Sequence, residues 1–297
     1  LMRDPDRSVR RAAHDAVYDT LKPQEQLRAF IYDTIVQDRL TMDRLRHYPD
    51  PMAAQHLYNE IQPAAVETMM AVVEDNYHLA HDYWRLKGRL LGLDKPTIYD
   101  QYAPIGQTAR QLGYDEARDI ILEALAGFSP AFADIARQFY DKSWIDAEVR
   151  PGKSGGAFCS GVTPAVHPYI LCNYTDSLRD ALTVAHELGH GIHDYLAGRA
   201  QNIYNYHPSL PVAETASVFA EITVFDHLVA RQGSTADQLA LLTGTIEDMM
   251  ATVFRQNVLT RYEQRAYAAR ASQRLTPDLL KGFWWDANAP YYGDALQ

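Results

Sequence analysis

Hydrophobic residues recur every three or four positions along most of the chain, the spacing of helices with one buried face. After Pro23, for example, Leu27, Phe30, Ile31 and Ile35 follow this spacing. Residues 92–104 break the pattern and indicate a loop. The pattern predicts helices over residues 4–21, from 23 to about 38, from 50, over 62–91, twice between 108 and 140, and over 177–197, 211–230, 236–272 and 277–287.

Between Trp144 and Tyr174 the pattern changes to short apolar runs separated by glycine and proline. The runs 147–150, 157–159 and 169–172 are typical of short strands. Pro151–Gly156 lacks the GxxxxGK[ST] spacing of a phosphate-binding loop and is interpreted as a hairpin turn. The sequence therefore predicts a mainly α fold with a small antiparallel β-sheet.

Composition and charge narrow the classes of partner. The chain has 297 residues, of which 47% are hydrophobic and 22% charged, and its net charge is −10. This charge argues against a nucleic acid or an anionic membrane as partner. The sequence contains no run of 18 consecutive apolar residues, so it predicts no membrane-spanning helix. The first residues lack the apolar core of a signal peptide. With only Cys159 and Cys172, a reducing cytoplasm is the expected location.

A His-Glu-x-x-His motif spans His186–His190, within a predicted helix. Residues four apart lie one above the other on a helix, so His186 and His190 can offer two imidazoles to one metal ion. Glu187 is rotated by about 100° from His186, so its carboxylate can reach a water bound to the metal and act as general base. A helix with two surface histidines is the alternative that the motif alone leaves open.

A catalytic zinc site usually has three protein ligands and one open position. The metzincin pattern needs Gly at 193 and His at 196 and is excluded, because the chain has His193 and Leu196. A glutamate on a second helix is another common third ligand. Glu214 lies one turn into such a helix, where a favourable interaction with the helix dipole is the competing explanation.

Two nearby residues are candidates for supporting roles. Glu221 lies seven residues after Glu214 on the same helix face, where it could orient a ligand histidine or simply face solvent. His193 lies seven residues after His186 and shares its face. Contact with a ligand or substrate and packing in the core are both compatible with that position.

Four motifs in a fixed order resemble one enzyme family. The chain is similar to the M3 metallopeptidases, and most similar to their oligoendopeptidase F branch, bacterial relatives of thimet oligopeptidase. The resemblance extends over essentially the whole chain and includes Arg7–Ala13 and Arg255–Glu263. Its four motifs are Lys153–Cys159, Pro168–Tyr174, Ala185–His193 and Ala213–Ser217.

The resemblance implies a zinc endopeptidase that cuts internal bonds of short peptides inside a channel walled by helices. Carried over by position, it implies that His186, His190 and Glu214 bind one Zn²⁺ per chain and that Glu187 is the general base and acid. Residues 1–143 would form the helical wall of this zincin-like catalytic domain.

The remaining part, residues 144–297, would form the zinc-binding catalytic core. Within it, the resemblance implies that Gly156, Ala157 and Phe158 offer main-chain hydrogen bonds to an extended peptide, as an added strand does.

One departure from the family concerns the end of the chain. Family members continue past a segment like Tyr291–Asp294 into a stretch with a histidine and several tyrosines, whose hydroxyls stabilise the oxyanion. Tyr291 and Tyr292 match the residues before that stretch. The expectation is a central fragment, truncated at both ends relative to the family, for which the missing carboxyl-terminal segment is a further partner.

Two other functions compete with an endopeptidase. The first is a catalytically impaired helical fragment that binds peptides and keeps a retained or vestigial zinc site. The second is a zinc aminopeptidase, which usually carries a GxMEN-type strand before the zinc helix. No such stretch occurs in this sequence.

Overall fold

The structure is a computed structural model that describes residues 1–106, 111–231 and 233–296. It contains two compact units, one formed by Leu1–Gln107 with Leu242–Gln297 and the other by Thr108–Leu241. Residues 108–110, at the start of a predicted helical stretch, lie outside the described residues. Within the described part, no helix is long and apolar enough to cross a membrane.

Helices account for most of the described chain, as the hydrophobic pattern predicts, and three short strands form the sheet. The elements are α1 (Arg7–Leu21), α2 (Glu25–Leu45), α3 (Ala53–Tyr58), α4 (Pro63–Asp75), α5 (Tyr77–Leu90), α6 (Tyr114–Phe128), α7 (Pro130–Asp141), β1 (Ile145–Asp146), β2 (Phe158–Ser160), β3 (Tyr169–Leu171), α8 (Leu178–Ala200), α9 (Leu210–Arg231), α10 (Thr235–Met250), α11 (Gln256–Arg270) and α12 (Pro277–Tyr292).

Two of the long predicted helices are interrupted. The helix expected over 62–91 divides into α4 and α5 at Asn76, whose side chain donates a hydrogen bond to the Val72 carbonyl at 2.8 Å. The backbone N–H of Asn76 bonds the Val73 carbonyl, an i→i−3 contact that tightens the last turn. The helix expected over 236–272 divides into α10 and α11, joined by a π-helical turn at Ala251–Arg255.

The small sheet is mixed, whereas the sequence predicts an antiparallel one. Its strand order is β1-β3-β2, with β2 antiparallel to β3 and β1 parallel to β3. The prediction holds for the β2–β3 pair, in which Cys159 lies opposite Ile170. The chain reverses direction between β1 and β2 and again between β2 and β3, so β1 and β3 run in the same direction and pair as parallel neighbours.

The first predicted strand, 147–150, is wrong in its placement. Sheet pairing involves Ile145 and Asp146 instead. The carbonyl groups of Glu148 and Arg150 accept hydrogen bonds from the side chain and the backbone of Lys153, respectively. Because a turn uses these groups, residues 148–150 do not extend the ladder.

The core of the unit Thr108–Leu241 surrounds α8. Leu125, Phe139, Leu188 and Val224 are each fully buried there, on four different helices. β3 adds Ile170 to the same core. This packing fixes α8, which carries the His-Glu-x-x-His motif, between helices on one side and the sheet on the other.

The other unit is organised around a buried carboxylate and two apolar clusters. Asp100 is fully buried and accepts hydrogen bonds from Arg7 and Arg10, at 2.8 and 2.9 Å for the shortest contact of each. One apolar cluster includes Tyr77 and Tyr291. The second is centred on Val36, Ala266 and Leu275.

Candidate metal centre

Helix α8 begins at a capping box that fixes its first turn. Ser177 accepts a hydrogen bond from the backbone N–H of Asp180 at 3.0 Å, and the Asp180 carboxylate accepts one from the backbone N–H of Ser177. This reciprocal pair satisfies two of the free N–H groups at the helix start. The motif His186–His190 lies two turns further on, in the buried middle of the helix.

Helices α8 and α9 approach each other closely at Gly189. A Cβ atom at this position would lie 2.6 Å from both the Ala216 carbonyl oxygen and the Ser217 Cα. Only glycine permits this backbone approach. It brings Glu214 of α9 beside the histidines of α8.

His186, His190 and Glu214 form a compact group of potential metal ligands. Glu214 Oε2 lies 3.4 Å from His186 Nε2 and 3.7 Å from His190 Nε2. One ligand atom from each of the three residues lies within 4.8 Å of the others. Across residues 1–106, 111–231 and 233–296, this is the one group of three or more His, Cys or acidic residues that meets this distance.

Each histidine has a hydrogen-bond partner behind it. His186 Nδ1 donates to Glu221 Oε2 at 3.0 Å, and this bond, more than any other influence, raises the pKa of His186. His190 donates to the backbone carbonyl of Ala213, but burial dominates and lowers the pKa of His190. These bonds leave Nε2 of both rings facing Glu214, the arrangement of ligand histidines in metal sites.

Ser217 is a residue that sequence reasoning missed. Its side chain is fully buried, and its hydroxyl donates to Glu214 Oε2 at 2.8 Å. The bond fixes the orientation of the Glu214 carboxylate. A serine three residues after a glutamate on a helix is the local signal, but serines in such positions are too common to identify it.

Glu187 lies beside this group but points to the sheet. Its side chain is 7% exposed, and the backbone N–H of Cys159 in β2 donates to its carboxylate. Burial raises the pKa of Glu187, while the nearby His186 and the Cys159 hydrogen bond oppose that rise. The carboxylate is therefore held in place by the strand that runs next to α8.

The three residues expected to contact a peptide lie at an edge of the sheet. Phe158 is the first residue of β2, and β2 has β3 on one side only. The Phe158 side chain is 48% exposed. Gly156 has a positive φ of 80°, which glycine adopts without strain. Ala157, between them, also packs against the core around α8.

The two supporting candidates lie in different surroundings. Glu221 contacts His186, as described above, and therefore lies next to the group formed by His186, His190 and Glu214. His193 lines an apolar cleft of about 610 Å³ between α8 and α9, together with Phe132, Leu196 and Phe219. Its role stays a prediction.

The whole chain matches one family of known proteins. A model of peptidase family M3 matches residues 1–297. Oligopeptidase PepF of Bacillus subtilis is 29% identical over 297 residues, which cover 99% of this chain and 44% of that protein. Group B oligopeptidase PepB of Streptococcus agalactiae is 29% identical over 294 residues, which cover 99% of this chain and 49% of that protein. The chain thus spans about half the length of these relatives.

Solved structures give the same result for the fold. A peptidase structure from Chlamydophila abortus superposes with a TM-score of 0.87 at 26% identity, covering 100% of this chain and 50% of that one. Oligoendopeptidase F from Enterococcus faecium superposes with a TM-score of 0.71 at 22% identity, covering 100% of this chain and 46% of that one. The family match over residues 1–297 establishes that the chain belongs to peptidase family M3.

Proposed function

We propose that this chain carries the zinc site of an endopeptidase that hydrolyses internal peptide bonds of short oligopeptides. The observation that carries the proposal is the convergence of His186, His190 and Glu214 next to the buried carboxylate of Glu187. Membership of family M3 and relatives named as oligopeptidases support the same reaction class.

The donor set fits zinc, with one ion per chain. Ligand atoms about 2.0–2.1 Å from a tetrahedral zinc ion are roughly 3.4 Å apart, close to the 3.4 and 3.7 Å that separate the histidine nitrogens from Glu214. Two neutral imidazoles and a carboxylate match a catalytic zinc site with an open position. A zinc ion bound there would supply Lewis-acid chemistry and lower the pKa of a water molecule.

Glu187 is proposed to transfer a proton from the attacking water to the leaving amine. Its carboxylate accepts a proton from the attacking water and then donates that proton to the nitrogen of the leaving amine. The hydrogen bond from the Cys159 N–H holds the carboxylate while it does so. His186, His190 and Glu214 take no proton in this scheme and serve as ligands.

The edge of β2 is proposed to bind the peptide. Gly156, Ala157 and Phe158 lead into a strand with one unpaired edge, to which an extended peptide can add by main-chain hydrogen bonds. Short peptide substrates are therefore the expected partners, with no nucleic acid and no membrane. In the relatives the polypeptide is about twice as long, so a further segment of the same enzyme is a second proposed partner.

The proposed location is the cytoplasm. Cys159 and Cys172 are both free thiols, which a reducing compartment preserves.

Zinc content of the purified chain after extensive dialysis tests the proposal. About one zinc per chain is expected, and Glu214→Ala should lose it, while Glu187→Gln should keep it and abolish cleavage of a quenched fluorescent peptide. An exposed residue, His207, provides the control variant His207→Ala. A folded chain without zinc would overturn the metal site. Unchanged zinc in Glu214→Ala would place the third ligand elsewhere, and an active Glu187→Gln would remove Glu187 as the base.

A further inference from the structure

The segment 147–157 joins β1 to β2 and sets the position of the proposed peptide-binding edge. It contains neither helix nor strand, and two glycines, Gly152 and Gly156, have φ values of 81° and 80°. Such a segment has little regular backbone pairing to hold it. Two backbone hydrogen bonds, to the carbonyls of Ala147 and Arg150, hold parts of it, and its position otherwise depends on side-chain contacts.

Lys153 provides most of these contacts. Its side chain is 2% exposed, and its Nζ lies 2.9 Å from the Asp146 carbonyl oxygen, 2.7 Å from that of Glu148 and 2.6 Å from that of Cys172. The Asp146 carboxylate lies 3.0 Å away. A buried ammonium group is costly unless acceptors surround it, and here four oxygens share its three protons. The contacts join the end of β1, the following segment and the residue after β3.

Asn173 adds a second anchor next to the first. Its Nδ2 donates to the carbonyl groups of Ser154 at 2.9 Å and Gly156 at 3.0 Å, which uses both amide protons. Cys172 and Asn173 directly follow β3. Both anchors therefore fix the segment to the same end of the sheet.

Arg150 lies in the same segment but makes a different kind of contact. Its side chain is 49% exposed and bonds only the carboxylate of Asp146, at 2.7 and 2.6 Å. An exposed ion pair of this kind contributes little to stability. Lys153, by contrast, bonds three backbone carbonyls that Arg150 does not reach.

We propose that Lys153 is a positioning residue for peptide binding. Through the backbone carbonyls of Asp146, Glu148 and Cys172, it holds the segment that delivers Gly156–Phe158 alongside the base Glu187. Cys159, three residues beyond Gly156, completes the link by donating its N–H to the Glu187 carboxylate. This inference rests on the proposed peptidase function and names a residue that does not itself touch metal or substrate.

The test compares two zinc-binding probes on the zinc-loaded chain. One is a tetrapeptide with a carboxyl-terminal hydroxamate, which needs both the metal and the strand edge, and the other is acetohydroxamate, which needs the metal alone. Lys153→Met keeps the aliphatic stem and removes the ammonium group. We expect it to bind the peptide hydroxamate about tenfold more weakly, with unchanged acetohydroxamate affinity and zinc content.

Asn173→Ala is the milder second variant and Arg150→Met the matched control. Asn173→Ala should show the same selective loss to a smaller degree, and Arg150→Met should behave as the unmodified chain. If all variants bind the peptide hydroxamate equally, or if Lys153→Met weakens both probes alike, the positioning role is wrong.

Amide hydrogen exchange separates this proposal from the peptidase function, because it requires no metal. Exchange at residues 154–160 should be faster in Lys153→Met and Asn173→Ala than in Arg150→Met. If the unmodified chain binds no zinc, the peptidase proposal fails, and exchange alone decides whether Lys153 holds the segment. Unchanged exchange in Lys153→Met overturns the anchor.

Discussion

Glu221 Oε2 accepts a hydrogen bond from His186 Nδ1 at 3.0 Å, while Nε2 of the same ring lies 3.4 Å from Glu214 Oε2. When neutral His186 donates its Nδ1 proton to Glu221, its Nε2 is left unprotonated on the side of Glu214. Glu214 and Glu221 are two turns apart on α9. One helix therefore supplies both a ligand candidate and the group that orients a second ligand.

Replacing Glu221 should weaken zinc binding without removing a ligand. Glu221→Ala leaves the His186 ring free to rotate and to exchange tautomers, and losing such a partner typically costs about 10–100-fold in metal affinity. Competition with a coloured chelator measures the change. Asp226→Ala, at an exposed position of the same helix, is the control. Equal affinities in the two variants would show that the contact does not orient the ligand.

Adding one methyl group at Gly189 should separate α8 from α9. The new Cβ would lie 2.6 Å from backbone atoms of Ala216 and Ser217, which cannot move aside as a flexible side chain can. We expect Gly189→Ala to lose about 1–3 kcal/mol of unfolding free energy and to bind zinc more weakly, as measured by urea unfolding and metal titration.

Gly127 in α6 provides the matched control for that substitution. No atom lies within 4 Å of a Cβ built there, so Gly127→Ala should be neutral or stabilise the helix by up to about 1 kcal/mol. If Gly189→Ala is as stable as Gly127→Ala, the close approach of the helices is not needed for the site.

The parts of the site that follow from helical spacing were predictable from the sequence. His186, Glu187 and His190 are fixed relative to one another by a single helix, so their spacing alone places two imidazoles on one face. Glu214 needed the resemblance to family M3 as well, because it lies on a different helix. Its distance from the histidines depends on the packing at Gly189, which no local pattern encodes.

Contacts that depend on tertiary structure were not predictable. The Cys159 N–H that holds Glu187 is a backbone group, so no residue type marks it. The burial of Lys153 depends on three carbonyls from separate segments. In the fold, the helices were located from their periodicity. The break at Asn76 and the parallel pairing of β1 depend on hydrogen bonds, about which the hydrophobic pattern gives no information.

Removing the buried carboxylate of Asp100 should strongly destabilise the chain. Asp100→Asn leaves the guanidinium of Arg10, which is 3% exposed, without its charged partner. Breaking a buried ion pair on one side typically costs about 3–5 kcal/mol. Urea unfolding at pH 7 measures the loss, with exposed Asp94→Asn as control. Similar midpoints for the two variants would contradict a structural role for the pair.

The lowered pKa of Asp100 predicts that the free energy of unfolding depends on pH. Burial would raise the pKa of Asp100, but hydrogen bonds from Arg7, Thr97 and Arg10 outweigh it and lower the pKa from 3.8 to about 2. Because the folded pKa is below the unfolded one, the contribution of Asp100 is complete above about pH 4 and is lost as the pH falls towards 2. Urea unfolding across this range should show a steeper loss for the unmodified chain than for Asp100→Asn; parallel curves would assign the acid sensitivity to other groups.

Removing zinc from the site proposed at His186, His190 and Glu214 should lower the thermal stability of the chain. An ion that binds only the folded chain stabilises it by about 2.7 kcal/mol when its free concentration is 100 times the Kd, which corresponds to a rise in Tm of roughly 4 °C for a chain of 297 residues. Differential scanning calorimetry with a chelator and with defined free zinc measures this shift. His190→Ala should lose the response to zinc, whereas His207→Ala, changed at an exposed histidine, should keep it. A full response in His190→Ala would mean that the stabilising ion binds at a site other than the one formed by His186, His190 and Glu214.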